Sequence, residues 1–439
     1  MQRRHFLQST LALPFVPQML LGQKAYRVAL IGAGWYGMSD LFRLLQVVEV
    51  EVVGICDVDQ DHLEAANQRL NKRMGTQRKF PTYTDYQKML VEAQPEIVII
   101  ATPDHWHALQ AIAAIEAGAH LYLQKPVGVD VAESEAVLVA ARKHNRKVQV
   151  GTQRRSTPHF IEIKENIIDT GRLGEIGHVE MCCYYHMRST ANPEIQNVPV
   201  QLDYDAWTGP APLVPYTGLP HRRWRSRMEY SNGILGDMCV HMYDTARWLL
   251  DLGWPNSVSS SGGIYVQRDT WANTPDTQTA VFAHNGFNCV WQHRSWGPPV
   301  DPDYPWAIFI YGSKGTLKAD VKHWTFIPND KKKETLTGTV RYEREQFPED
   351  VDEEGIEIHA APATRGHMRD LIMAIEEDRL PVADIEQGHI SSASCVLANL
   401  SMQLGRPLAY DAVKKIVVDD PEATALLARP YREGYTHPG

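Results

Sequence analysis

From Tyr26 to about Gln153, short apolar runs alternate with stretches whose apolar positions recur every three or four residues. The runs Arg27 to Ile31, Glu51 to Cys56, Glu96 to Ala101, His120 to Leu123 and Val148 to Val150 predict buried strands. His107 to Ala117 and Ala132 to His144 predict helices between them, stopped by Gly118 and Asn145. Continuous rather than alternating apolar strands, each followed by a helix, imply crossover units and a parallel sheet covered on both faces.

Beyond Pro158 the pattern changes. A helix over Phe160 to Asp169 leads into a strand over Val179 to Met187. The segments Ile264 to Arg268, Thr277 to Ala283, Asn288 to Arg294 and Ala307 to Tyr311 predict antiparallel strands. Asn285-Gly286 signals a type I′ hairpin and Gly312 to Gly315 a second tight turn. One helix interrupts this half, from Leu235 to Leu250. The Pro-rich, aromatic stretch Arg188 to Tyr230 reads as a loop that wraps the sheet or covers a site. Lys331 to Glu354 is charged and expected to be exposed, and Arg365 to Glu377 and Ile385 to Leu404 predict late helices. The expected fold is an α/β N-terminal Rossmann domain (residues 23–155), then an α+β domain (156–384) with a large, open, mainly antiparallel sheet. Residues 385–439 form a last helix and tail that pack back on the first domain.

Residues 1–22 stand apart. Arg3-Arg4-His5-Phe6-Leu7 precedes an apolar stretch from Leu11 to Leu21 that Pro14 and Pro17 interrupt. This resembles a bacterial twin-arginine export signal, and too short an apolar run for a membrane span. A periplasmic or otherwise exported location is the expectation. The net charge of -9 and the lack of a basic run exclude nucleic acid and anionic membrane as expected partners. The six cysteines form no C-x-x-C, and buried free thiols are expected. No metal-ligand spacing is evident, and His178 and His186 read as structural.

Val28 to Ile31 runs into Gly32-Ala33-Gly34-Trp35-Tyr36-Gly37, a G-x-G-x-x-G between a strand and a helix. Gly32 permits the tight turn, Gly34 lets backbone approach a pyrophosphate, and Gly37 lets helix pack on strand. Asp57 ends the second strand about 20 residues on, where a carboxylate receives ribose hydroxyls and repels a 2′-phosphate. The expected cofactor is therefore NAD rather than NADP.

Three further segments, Ala101-Thr102-Pro103-Asp104-His105-Trp106-His107, Gln124-Lys125-Pro126 and Gly236-Asp237-Met238-Cys239-Val240-His241, follow in order. With the glycine motif they make the chain, from Tyr26 onward, resemble the glucose-fructose oxidoreductase, inositol dehydrogenase and rhizopine-catabolism (Gfo/Idh/MocA) family. The resemblance implies hydride transfer between a carbinol carbon and nicotinamide. It implies that Thr102, Pro103 and His107 line the cofactor, that Lys125 touches the reacting hydroxyl, and that His241 is the acid/base with Asp237 one turn earlier. Where the family has Glu this chain has Gln124, which removes a negative charge beside Lys125 and predicts a lysine that titrates lower.

Such chemistry needs a base near neutral pKa and a cation beside the alcohol oxygen, which suit His241 and Lys125. Asp237, four residues from His241, is placed to fix the imidazole tautomer and favour its charged form. Trp35, Tyr36, Trp106, Gln124 and Gln153 are the remaining cofactor candidates; Arg154, Trp224 and Tyr230 are the substrate candidates. Outside the resemblance each reads equally as a surface or core residue. Three functions compete. The first is a dehydrogenase for a sugar, polyol or glycoside. The second is redox-neutral glycoside cleavage by tightly held NAD, which export favours and which the absence of the cleaving branch's His-Gly-rich motif disfavours. The third, a non-enzymatic sugar sensor, is opposed by intact Lys125 and His241. An open sheet also predicts pairing with a second copy.

Overall fold

Six parallel strands form the first sheet: β1 (Tyr26–Ile31), β2 (Val50–Cys56), β3 (Thr82–Tyr83), β4 (Ile97–Ile100), β5 (His120–Leu123) and β6 (Val148–Val150), in the order β3-β2-β1-β4-β5-β6. Their apolar runs are buried because both faces are covered: Val28 to Leu30 and Ile97 to Ile100 have no exposed surface. The order reverses between β1 and β4, which opens a crevice at their carboxyl ends. The computed structural model describes residues 24–184, 188–218, 223–352 and 358–439. The twin-arginine stretch, His186, and His221 and Arg222 lie outside them.

A second, eight-stranded sheet comprises β7 (Ile176–Cys183), β8 (Ser257–Gly263), β9 (Thr277–His284), β10 (Phe287–Arg294), β11 (Trp306–Gly312), β12 (Gly315–Asp320), β13 (His323–Pro328) and β14 (Leu336–Thr339). Its order is β14-β13-β12-β11-β7-β10-β9-β8, and every pair is antiparallel except β7 with β10. Helices Val240–Leu249 and Ile385–Leu404 cover one face, where Trp291, Phe282, Ile308 and Leu317 form the core with Tyr243 and Leu397. Helix Ile385–Leu404 also packs on helix Val131–Lys143 of the first domain, so it belongs to both layers. No helix among the described residues is long and apolar enough to cross a membrane.

Several expectations need correction. Residues 264–268 are not a strand; Asp276 accepts hydrogen bonds from the N–H groups of Tyr265, Val266 and Gln267 and folds them into a loop. The edge strand is instead the serine-rich Ser257–Gly263. The strand expected from Val179 begins earlier and ends at Cys183, and 185–187 lie outside the described residues. The hairpin at Asn285-Gly286 forms, but only Gly286 has positive φ, so the turn is not type I′. Asp350, in the stretch expected to be exposed, is buried and receives Arg43 (2.6 Å) and Arg365 (3.1 Å). Helix Ala361–Glu376, assigned to the sheet domain, covers the parallel sheet: Met368, Leu371 and Ile372 share a core with Val28, Leu30 and Phe42. All six cysteines are free and buried.

Candidate active site

The glycine loop opens the helix Trp35–Leu45 at the carboxyl end of β1. Gly32 has φ +91° and abuts the Ala101 backbone; a Cβ there would lie 2.7 Å from the Ala101 carbonyl. A Cβ on Gly37 would lie 2.0 Å from the Gly32 oxygen, so this glycine works behind the cleft, as helix-to-turn packing. A Cβ on Gly34 meets only His62, at 4.0 Å, and would project into the cleft. That open backbone at a helix N-terminus fits a pyrophosphate. Asp57 stands at the end of β2 with Oδ2 accepting from the Ala33 N–H (2.8 Å) and 3.2 Å from His62 Nδ1. Burial lowers the His62 pKa, but the carboxylates of Asp57, Asp59 and Asp61 together outweigh it and raise the value.

These residues line a cavity of about 370 Å³ together with Trp35, Tyr36, Thr102, Pro103 and Trp106 from the first domain, and Trp207, Trp224, Arg225 and Tyr435 from later segments. The expected wrapping loop thus covers the cleft. Trp106 is fixed there by donating to the carbonyls of Ala206 (3.1 Å) and Trp207 (3.0 Å).

A smaller cavity, about 180 Å³, adjoins it and shares Trp35, Tyr36, Thr102 and Arg225. It is lined by Lys125, Asp237 and His241, by His107, Gln124, Gln153 and Arg154, and by Asp104, Met238 and Trp306. Lys125 follows β5, while Asp237 and His241 come from a helix that starts with a π turn, Leu235–Cys239, and continues as Val240–Leu249. Such turns recur at functional sites. Lys125 Nζ donates to Asp237 Oδ1 at 2.5 Å and to the Asp237 carbonyl at 3.0 Å. Arg225 Nε lies 3.3 Å from the other carboxylate oxygen. Burial alone would raise the Asp237 pKa, but the two cations outweigh it and the carboxyl titrates below its usual range.

The expected Asp237–His241 pairing is therefore absent, because Lys125 and Arg225, cations from other elements, claim the carboxylate. His241 is buried, its edge toward Trp306 at 5.5 Å, and its Nδ1 has no hydrogen-bond partner among the described residues. Burial first, then Lys125 and Arg154, hold its pKa well below the ordinary value, so the ring is neutral rather than charged. A neutral imidazole can accept a proton. Gln124 donates to the buried Asp40 (2.8 Å), and burial pushes the Asp40 pKa up to about 8. Gln153 donates to the Tyr36 hydroxyl (3.0 Å), and Arg154 lies over Trp306 (5.1 Å). His107 is buried between the carbonyls of Pro126 and Thr102, and burial lowers its pKa to about 4.

Two substrate candidates fall elsewhere. Trp224 lines the larger cleft, under the Arg225 guanidinium, and not the smaller cavity. Tyr230 lines neither; it is buried among His105 and Trp207 with its hydroxyl 3.2 Å from that of Tyr204. A ring this apolar fills a core once other rings surround it. Asp104, Trp306 and Tyr435 are site residues not singled out from sequence, whereas Arg225, in the basic stretch before the His241 helix that could line a sugar pocket, lines both cavities. Asp104 lies within the segment Ala101 to His107; burial pushes its pKa up to about 8 against the pull of Lys125 and Arg225.

The profile of an oxidoreductase family's NAD-binding Rossmann fold matches residues 26–152, and that of its C-terminal alpha/beta domain matches 178–274 and 310–437. An inositol 2-dehydrogenase of Salmonella paratyphi B is 32% identical over 151 residues, 34% of this chain and 43% of that protein, so the match spans under half that relative's length. A glycosyl hydrolase family 109 protein of Akkermansia muciniphila is 32% identical over 168 residues, 36% of this chain and 34% of that protein. An oxidoreductase from Agrobacterium radiobacter, solved with NAD+, L-tartaric acid and magnesium, shares the fold with a TM-score of 0.66 at 14% identity, over 88% of this chain and 98% of that one.

Proposed function

This chain belongs to the Gfo/Idh/MocA family of oxidoreductases, and from that premise we propose that it moves hydride between NAD and a secondary alcohol of a sugar, polyol or glycoside. The observation that carries the reading is the joining of two cavities, one lined by Gly34 and Asp57 and the other by Lys125, Asp237 and His241. Gly34 and the helix N-terminus behind it receive the pyrophosphate, and Asp57 receives the adenosine ribose. Bound NAD supplies the hydride acceptor. Lys125, held by Asp237, presents its ammonium to the alcohol oxygen and stabilises alkoxide charge as it develops. Neutral His241 takes the hydroxyl proton. Trp306 and Arg154 close the cavity behind the substrate.

The test begins with absorbance and mass analysis of purified protein for bound NAD. Sugars, inositols and p-nitrophenyl glycosides are then offered with and without added NAD. Reduced nicotinamide that tracks one substrate supports the reading. Substrate binding without any turnover would leave a sensor in its place.

A second reading draws on the likeness to the family 109 glycosyl hydrolase and on the Arg3-Arg4 stretch. We propose that the chain is exported folded, where no free NAD pool exists, and that a held cofactor then favours a redox-neutral cycle. Nitrophenol release without net nicotinamide reduction supports that cycle. A reporter fused behind residues 1–25 that stays in the cytosol would remove the export step.

A further inference from the structure

After the short helix Pro421–Ala425 the chain has no regular secondary structure, yet it is tied down on two sides. On the first domain, the Leu427 carbonyl accepts from the N–H groups of Val131 and Ala132 (3.1 Å each) at the start of helix Val131–Lys143. Asp130 Oδ2 accepts from the Arg429 N–H (2.8 Å) and lies 2.9 Å from His437 Nε2. The Tyr431 hydroxyl donates to Glu133 Oε1 (2.5 Å). Asp130, Glu133 and His437 have the spacing of a metal site. All four carboxylate oxygens, however, already accept hydrogen bonds, the other two from the N–H groups of Glu133 and Val129. The cluster is an anchor.

On the other side, Arg432 donates to Asp205 Oδ1 (2.6 Å) and the Gly209 carbonyl (3.0 Å). Arg429 reaches the Met228 carbonyl (2.7 Å) and Asn232 Oδ1 (2.6 Å). Between the two sets of anchors Tyr435 enters the larger cleft, edge-on to Trp106 at 5.7 Å. Trp106 lies hard against Gly209, where a Cβ would come within 2.2 Å of the indole. The segment therefore joins the two walls of the cleft, the first domain and the loop carrying Asp205 and Trp207, and adds a ring of its own.

We propose that residues 428–439 form a strap that retains the dinucleotide, with Tyr435 as the residue that closes the outer wall of its cleft. The proposal rests on the cofactor reading above. Segments outside helices and strands are ordinarily the more mobile parts of a fold. This one carries two arginines spent on the far wall and three hydrogen bonds to one acidic pair, an arrangement that a loosely held segment does not need. A ligand clasped between two walls leaves no faster than the walls part. Retention through many turnovers is what a redox-neutral cycle requires, so the strap bears on the choice between the two readings.

The experiment loads the full chain with NADH and follows tryptophan-to-NADH energy transfer while excess NAD+ displaces it. Arg432→Ala removes the side-chain bonds to Asp205 and Gly209 and the guanidinium that lies over the Tyr435 ring (5.6 Å), and release should quicken about tenfold, the equivalent of one or two hydrogen bonds lost. Tyr435→Ala leaves both anchors in place and should quicken release in the same direction; it keeps the proposal testable if the first variant folds poorly. Melting of the ligand-free Arg432→Ala variant at the temperature of the full chain would show that the effect is not general unfolding. Release at the full chain's rate from both variants overturns the strap alone. A full chain that binds no NADH overturns the cofactor reading and the strap with it.

Discussion

Replacing Lys125 by Met separates the chemistry of the smaller cavity from the binding of the larger one. The substitution keeps length and apolar stem but removes the ammonium that donates to Asp237 Oδ1 (2.5 Å) and to the Asp237 carbonyl (3.0 Å). Both side chains are about nine-tenths buried, so water does not replace the lost donor. An ammonium donates both bonds, and a hydrogen bond with a charged partner contributes ~1.5–3 kcal/mol, so the lower end of that range for the two together sets the loss at ~3 kcal/mol. The ~3–5 kcal/mol expected for stranding a buried ion is not reached, because Arg225 still lies 3.3 Å from Asp237 Oδ2. Catalysis suffers more. In the proposed reaction the cation is the group that would meet developing charge on the alcohol oxygen, and removing one such donor typically costs ~10²–10³ in turnover. Lys125 does not line the larger cleft, so NADH affinity should stay within a factor of ~3. The assay pairs an NADH fluorescence titration with nicotinamide absorbance at saturating substrate. Turnover within ~10-fold of the parent chain would refute the lysine's role. Parallel loss of NADH affinity would refute the division of labour between the cavities.

The glycine loop makes two opposite predictions: Gly37→Ala drives a Cβ to 2.0 Å from the Gly32 oxygen and should lower stability by ~1–3 kcal/mol, whereas Gly34→Ala meets only His62 at 4.0 Å, so its melting should not change while NADH affinity falls ~10-fold. Equal NADH affinity in Gly34→Ala would mean that no pyrophosphate lies there. Asp57→Ala should narrow the preference for NADH over NADPH by ~10-fold or more, measured as a ratio of dissociation constants; an unaltered ratio would show that this carboxylate does not read the ribose. Asp40, whose folded pKa burial raises to about 8 against Gln124 and Arg43, favours the fold in its protonated form, so its contribution is complete below the unfolded value of ~3.9 and is lost as pH rises toward 8. Urea midpoints of the parent chain should therefore fall relative to Asp40→Asn between pH 5 and 8, and curves that run parallel would contradict the assignment. Asp237 has the opposite sign, with a depressed pKa, so its pairing with Lys125 and Arg225 should be lost as pH falls below ~4.

What could be read from the chain alone divides along a physical line. The parallel strands were legible because a strand buried on both faces must be apolar throughout, and β5 and β6 coincide with the expected His120 to Leu123 and Val148 to Val150. The edge strand Ser257–Gly263 has no such run; it is held by helix Ile385–Leu404, whose Ser401 hydroxyl accepts the Ser260 N–H (3.0 Å), and by backbone pairing with Leu408. Strand β13 does alternate, with Trp324 and Phe326 buried, and a search for period two beyond Tyr311 would have found it. The same division runs through the site. The glycine loop, Asp57, Lys125 and His241 were legible from local motifs and the family pattern. The partner of Asp237 was not, because spacing ranks only neighbours on one helix, whereas the pairing is with a lysine 112 residues away. In a buried cavity a full opposite charge outcompetes a neutral imidazole for a carboxylate, whichever is nearer along the chain. His241, left out of that pairing, is held uncharged by its burial first and then by Lys125 and Arg154, so the lysine that sequence spacing could not pair with Asp237 also bears on the protonation state of the proposed base.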